Sequence, residues 1–479
     1  MQRRLVLIIA TFLLAAFTFA DEPSYMGIYL QGQKIGYSVT SSEKIAGGKM
    51  AVDATTVIKS AMLGAEMSMN IDTKSVYKAD GGLEKSVFTM TSGGRTMLVT
   101  SAFSADKIIA TESSGGAPTK HEIPIPKGTV IVDDPTMLLD GENSLKPGEV
   151  RKFTVFDPPS LSLVEMSARL AGNETINLQG KSIKAKIVKI DDPRSPMTLY
   201  LDDKNELLKM VGPMGMEMYP ESKKDAMDMT ARSGQPSGGT DLADASSIKP
   251  DKPITASNSR TSLTIRMTGV DLSKTPSGDH QTVRKDGDGW LITIHPVDPR
   301  DAKPKFQIGH VPAEYQQWIQ PDLRIPSDSA EFKKKAASIV GGEKDVVKAA
   351  EKIRQFVYKT VRVNAGIGVL RDASEVLETC EGVCRDHAVL NATLCRAAGI
   401  PTRLVNGMVY AEGRFWYHAW VEIYDGDKWY GMDSTRPSPR LTAGHLKTSE
   451  GTVAQALTSF LLDGAKIAVV EGAPGASGN

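Results

Sequence analysis

The sequence predicts an α+β protein in which a β-rich N-terminal domain precedes a mixed helix-and-strand core. Three observations carry this. From Asp21 to about Thr230, short polar–apolar alternations are separated by glycine pairs, the pattern of antiparallel strands. Ala231–Pro253 then interrupts the alternation with Gly, Pro, Ser and Asp and no aromatic residue. Beyond it the apolar period switches to that of amphipathic helices, followed by a strand hairpin.

Length and charge bound the function classes. The 479 residues leave room for about three domains. Lys+Arg and Asp+Glu each number 57, so net charge gives no sign of a nucleic acid or anionic membrane partner. Zinc is disfavoured because no Cys-x-x-Cys or paired-His motif is present. No cofactor or metal is expected.

Taken in order, the chain opens on a signal peptide, Met1–Ala20. Arg3-Arg4 supply the charged start, Leu5–Phe17 the apolar run and Thr18-Phe19-Ala20 a small-residue cleavage site. The run is short for a membrane span, and Asp21-Glu22 follow at once. The reading is export, to the periplasm or the medium, with no membrane span in the mature chain.

The β-rich domain, residues 21–230, is expected to hold strands at Tyr25–Leu30, Gln33–Val39, Met50–Ser60, Ala65–Asp72, Glu84–Thr91, Arg95–Ser101 and Lys107–Glu112. Gly47-Gly48, Gly81-Gly82 and Gly93-Gly94 break them, as in a meander or open barrel. Pro124–Lys146 reads as a crossover, after which Lys152–Val155, Leu161–Leu170, Ile183–Ile190, Met197–Asp202, Asn205–Met210 and Met216–Tyr219 resume the pattern. Met214, Met216 and Met218 would share one strand face. Without a neighbouring His or Cys, they read as adaptable core rather than a copper site.

Residues 231–253 are read as a flexible linker and 254–300 as a small β element, with strands at Leu263–Met267, Gln281–Arg284 and Trp290–His295. The core spans 301–471 and ends in a disordered tail, 472–479. Helices are expected at Ser327–Ile339, with Ser327-Asp328-Ser329 as its cap, and at Glu343–Thr360, with Val346, Ile353, Phe356 and Val357 facing inward.

The chemistry concentrates in Leu377–Arg436. Cys384 precedes an apolar run (Ala388, Val389, Leu390, Ala392, Leu394) that reads as a buried helix stopped by Gly399 and Pro401. A helix N-terminus favours a thiolate. Arg414–Tyr424 alternates as a strand, with Trp416, His418, Trp420, Glu422 and Tyr424 on one face. Asp425-Gly426 is a two-residue hairpin signal, and Lys428–Asp433 returns. That loop makes paired numbers sum to 851, which sets His418 opposite Asp433, with Cβ atoms about 4.5–5.5 Å apart. Cys384, His418 and Asp433 are thus the candidate nucleophile, base and orienting carboxylate.

Gly-x-Cys-x-Asp-x-Ala, Leu-x-Arg-Ala-x-Gly-Ile-Pro-x-Arg, His-Ala-Trp-Val-Glu and Trp-x-x-x-Asp-Ser-Thr occur in this order. This series resembles the bacterial branch of the transglutaminase-like superfamily. The resemblance covers about Ala349–Arg436, and Ser434 stands where many relatives have proline. It implies a papain-like core with Cys384 as nucleophile, His418 as base and Asp433 as the orienting group.

Other residues are weighed against these three. His387 lacks an orienting carboxylate and reads as structural, and Asp386 reads as an acid complementing the helix dipole. Cys395 reads as a buried thiol, and Cys380 as a spectator rather than a redox cap on Cys384. His295, His310 and His445 lie outside the motif and read as bystanders. The expected reaction is acyl transfer from a protein or peptide amide through a thioester. Hydrolysis is placed ahead of cross-linking to an amine, which needs a shaped amine site. A non-catalytic envelope-binding protein is the reading from another class.

Overall fold

The computed structural model describes residues 22–62, 64–114, 118–132, 145–194, 196–229, 241–456 and 462–470. These form two compact units that meet in the chain at Ala245/Ser246. The expected signal peptide and C-terminal tail lie outside the described residues, as do 231–240 of the expected linker.

The N-terminal unit is a single antiparallel sheet of fourteen described strands. The first eight, from Ser24–Leu30 to Thr119–Pro124, each pair with the next. The last six, from Val150–Asp157 to Met216–Pro220, do the same, and the two meanders join where Ser24–Leu30 pairs with Met216–Pro220. Alternation explains the strands: Met97, Val99 and Ser101 are buried, while Leu98 between them is exposed. Methionine fills this interior, with Met67, Met69, Met90, Met97, Met216 and Met218 all buried. Met214 does not share their strand. It sits in the turn Pro213–Gly215 with φ of 58°. The strand Thr119–Pro124 was not foreseen, and residues 133–144 of the expected crossover lie outside the description.

Asp241–Pro253 is not a free linker. Leu242–Ser246 forms a short helix, and Leu242 and Ala243 are fully buried. Ile248 exchanges backbone hydrogen bonds of 2.9 and 2.8 Å with Phe415, and Asp251 holds the backbone of Ile467 and Val469. A few apolar residues among many polar ones are enough to dock the segment.

The 254–300 element belongs to the same compact unit as the core. Its strands Leu263–Thr268, Gln281–Asp286 and Gly289–Ile294 take a fourth neighbour, Lys466–Val470, from the end of the described chain. The sequence gives no sign of this, because partners about 200 positions apart leave no local pattern.

The core places helices α1 (Ala330–Val340), α2 (Val346–Thr360), α3 (Ala373–Thr379) and α4 (Cys384–Ala397) beside a sheet. Its strands are β1 (Thr402–Ala411), β2 (Arg414–Tyr424), β3 (Trp429–Met432) and β4 (His445–Gly451). The sheet is antiparallel in the order β3-β2-β1-β4. Ser329 caps α1 by accepting the Phe332 N–H, and Asp345 caps α2 through Val347 and Lys348. Helix α4 is central: the other three helices and strands β1 and β2 all pack on it. Its apolar residues Ala388, Val389, Leu390, Ala392 and Leu394 are buried, and so are its polar ones, Arg385, Asp386, Asn391 and Thr393 among them, which a helix enclosed on every side can hold only with partners. Phe332, Ile353, Leu390, Leu394, Val421, Ile423 and Met432 fill the interior with less than 1% exposure each. Among the described residues, no helix is long and apolar enough to cross a membrane.

Candidate active site

Helix α4 begins at Cys384 because Asp386 closes back on it. The Asp386 carboxylate accepts the Val383 N–H at 2.8 Å, the reciprocal half of a capping box. Arg371, itself buried, lies 3.3 Å from that carboxylate and also binds the Glu381 carbonyl. At the other end Gly399, with φ of 79°, lets the Ile400 N–H return to the Cys395 carbonyl. The Cys384 side chain has no exposed surface and joins the core cluster.

The hairpin differs from its expected register. Val421 faces Met432 and Tyr424 faces Trp429, so paired numbers sum to 853 rather than 851. The tip is Gly426-Asp427. Asp425 Oδ1 accepts the N–H groups of Asp427 and Lys428 at 2.8 Å each, and Gly426 takes φ of 99° at the first tip position. An Asx turn at Asp425 out-competed the Asp-Gly signal by one place. A slip of two preserves the face each side chain takes. Asp433 therefore lies just beyond the ladder, on the side of His418.

His418 Nε2 and Asp433 Oδ2 are 2.9 Å apart, and the two residues are 2% and 1% exposed. Nδ1, buried and without a hydrogen-bond partner at ordinary distance among the described residues, is then the ring nitrogen left for Cys384, which lies near enough to act on the charge of the ring. Burial disfavours a charged ring. The Asp433 charge and hydrogen bond, then those of Cys384, outweigh it and push His418 up to about 10. Burial likewise opposes the Asp433 charge, but His418 holds the carboxyl well below the usual carboxylate range. The structure brings Cys384, His418 and Asp433 together.

The loop after β3 is held from three sides. Thr435 donates its N–H (2.8 Å) and hydroxyl (2.5 Å) to Asp433 Oδ1. Asn391, two turns along α4 from Cys384, donates to the Ser434 hydroxyl. Ser434, the departure from proline, thus ties the loop to α4. Arg354 of α2 is 1% exposed and pairs with Glu351 at 2.6 Å. It also donates to the carbonyls of Asp433 (3.4 Å), Arg436 (2.5 Å) and Pro437 (3.0 Å). Arg354→Ala should cost about 1–3 kcal/mol, because it leaves the backbone carbonyls it serves without a donor, while half-buried Glu351 keeps part of its solvent. Thermal unfolding should show a clearly lowered midpoint, with Arg354→Lys intermediate.

His445 was read as a bystander and is not one. It is fully buried, and its Nε2 lies 3.6 Å from Asp433 Oδ2. Burial lowers its pKa to about 4 despite Asp433, so the ring is neutral. Its partner across the sheet is Val409, and spacing within Leu377–Arg436 could not reveal it. His418, Asp433 and His445 lie close enough to suggest a metal site. The donor chemistry argues against one. His445 Nδ1 accepts the Thr442 backbone N–H at 3.0 Å, so a neutral ring carries its proton on Nε2 and has no lone pair there.

The rival residues have other roles. His387 places Nδ1 2.9 Å from the Val383 carbonyl and Nε2 3.2 Å from that of Val361, bridging backbone segments. Burial pushes the Cys395 thiol up to about 12. Cys380 ends α3 in the left-handed region, with φ of 53°. All three cysteines are free, and His295 and His310 are exposed. Trp420 stacks beside His418 at 6.2 Å and is buried, so it packs the site rather than walling an open cleft.

Residues 333–434 match the model of the transglutaminase-like superfamily core, and the chain carries a transglutaminase-like domain there. A Mycobacterium leprae protein, ML0607, is 30% identical over 133 residues, covering 25% of this chain and 46% of that protein. The chain thus spans about half the length of this curated relative. Among solved structures, a candidate cysteine protease from Cytophaga hutchinsonii is similar over 44% of this chain and 81% of its own, at 20% identity and a TM-score of 0.32. A β-barrel-like protein of a domain of unknown function from Brucella abortus covers 42% of this chain and 94% of its own, at 13% identity and a TM-score of 0.31.

Proposed function

We propose that this chain is an exported thiol acyl-transfer enzyme that acts on amide bonds of proteins or peptides, a cysteine peptidase or amidase. The observation that carries the reading is the buried His418–Asp433 pair whose second ring nitrogen is left for a thiol at the first position of a helix. The competent form is the ion pair, with the proton on His418 and the charge on Cys384. The raised pKa of His418 favours it.

In the first step Cys384 Sγ bonds to the amide carbonyl carbon and the carbonyl π electrons move to oxygen. As the first residue of α4, Cys384 presents a backbone N–H with no intrahelical acceptor, suited to that oxyanion. The C–N bond then breaks as His418 gives its proton to the departing amine, leaving a thioester. Water attacks next, His418 takes its proton, and the C–S bond breaks to release the acid. Because Sγ is covered here, substrate entry requires a movement that exposes it.

The test is mass spectrometry of envelope peptides incubated with enzyme, with and without a primary amine. Hydrolysis should give products heavier by one water at a cut amide, lost in Cys384→Ala. Amine incorporation in place of water would assign cross-linking. No product and no acyl adduct on Cys384 would leave the non-catalytic binding reading.

A further inference from the structure

We infer that His445 is a positioning residue, one that keeps its proton on Nε2 and directs it at Asp433, fixing the carboxylate against His418. This rests on the reading of the site as a Cys-His-Asp catalytic group.

Its hydrogen bonds determine the tautomer. A backbone N–H can only donate, so the contact from Thr442 N to His445 Nδ1, at 3.0 Å, requires a lone pair on Nδ1. The Thr442 hydroxyl lies 2.9 Å from the same nitrogen and accepts the Gly444 N–H, which leaves its own proton free for the ring. The ring proton is therefore on Nε2. That N–H has no hydrogen-bond partner at ordinary distance among the described residues. The acceptor before it is Asp433 Oδ2 at 3.6 Å, a gap that a shift of about half an ångström would turn into a hydrogen bond.

The surroundings hold the ring in this pose. His280 Nε2 contacts the His445 carbonyl at 2.7 Å, and Gln281 bonds both the N–H and the carbonyl of Lys447. The small β element thereby clamps edge strand β4 at the position of His445. Trp420 meets the imidazole edge-on, with centroids 5.4 Å apart. Asp433 then receives Thr435 on Oδ1, and His418 and His445 on Oδ2. Its orientation is defined from both sides before any substrate binds.

Three variants separate this role from a structural one. His445→Gln keeps an N–H donor near the Nε2 position. His445→Asn keeps an acceptor for Thr442 but is too short to reach Asp433. His445→Leu keeps bulk and neither polar function. The readout is the rate of Cys384 alkylation by iodoacetamide, with Cys380 of the same full-length chain as internal reference. His445→Asn and His445→Leu should react about 10–100-fold more slowly at Cys384, the loss expected of a misplaced catalytic group, while His445→Gln recovers most of the rate. In parallel, two-bond ¹H–¹⁵N correlations of histidine-labelled wild type should show the Nε2–H tautomer at His445.

Equal Cys384 rates in His445→Asn and wild type would overturn the role, leaving His445 as a cap for the Thr442 turn. An Nδ1–H tautomer would overturn the hydrogen-bond assignment even with Cys384 reactive. Amide cleavage that survives unchanged in Cys384→Ala would instead overturn the catalytic reading and the positioning role with it, while the Nε2–H tautomer would still be seen.

Discussion

Cys384→Ala is expected to abolish amide cleavage while the protein stays folded. The variant removes the only atom proposed to bond with substrate, and the other thiol of α4 cannot replace it: Cys395 lies eleven residues along the same helix, about 16 Å away. Its effect on stability is set by packing. From sequence, Cys384 reads as a helix-start thiol outside the core, yet it is fully buried in the core cluster. Losing one buried sulfur atom should cost about 1 kcal/mol, offset in part by alanine's better helix propensity. The thermal midpoint should fall by about 2–4 °C at most. Turnover near wild type would end the nucleophile assignment, and a midpoint lowered by far more would show that the thiol is chiefly structural.

Legibility in the sequence followed the range of the interactions. Strands of the N-terminal sheet were readable because one buried face imposes period two, and helix α4 because a mostly apolar run from Ala388 to Leu394 is stopped by Gly399 and Pro401. The face shared by His418 and Asp433 was readable too, since parity survives a slip of two. The register itself was not, because Asp425 binding two N–H groups moved the tip to Gly426-Asp427. Strands β1 and β4 escaped notice; β1 is one of the two inner strands of the core sheet and β4 one of its edges. Arg354 and His445 were missed for a different reason. A buried arginine looks like any helical surface charge, and His445 matters only through a fold that returns it to Asp433. Docking of Asp241–Pro253 was hidden in the same way, since its composition is that of a linker.

The second large effect is expected for Asp433→Asn, about 10⁴-fold in turnover. Thr435 donates twice to Oδ1, so the asparagine carbonyl should stay there and turn its NH₂ toward His418 and His445. His418 must then accept at Nε2 and carry its proton on Nδ1, the nitrogen left for Cys384, and so no longer serves as a base. The amide also meets the His445 N–H donor to donor. Stability should fall by about 3–5 kcal/mol, and the pH dependence identifies the cause. In the wild type, His418 is raised from 6.5 to about 10, so its contribution is complete below 6.5 and is lost as pH climbs through 10. Asp433 is depressed, so its contribution is present above about pH 4, the unfolded carboxyl value, and is lost in stronger acid. In the variant, burial without the carboxylate favours a neutral ring, which destabilises the fold as pH drops below 6.5. The gap between the two proteins, measured by urea unfolding, should therefore be widest near about pH 4–6.5 and shrink toward pH 10. A gap that stays constant from about pH 5 to 10 would mean that the loss is one of packing and that no His418–Asp433 ion pair exists.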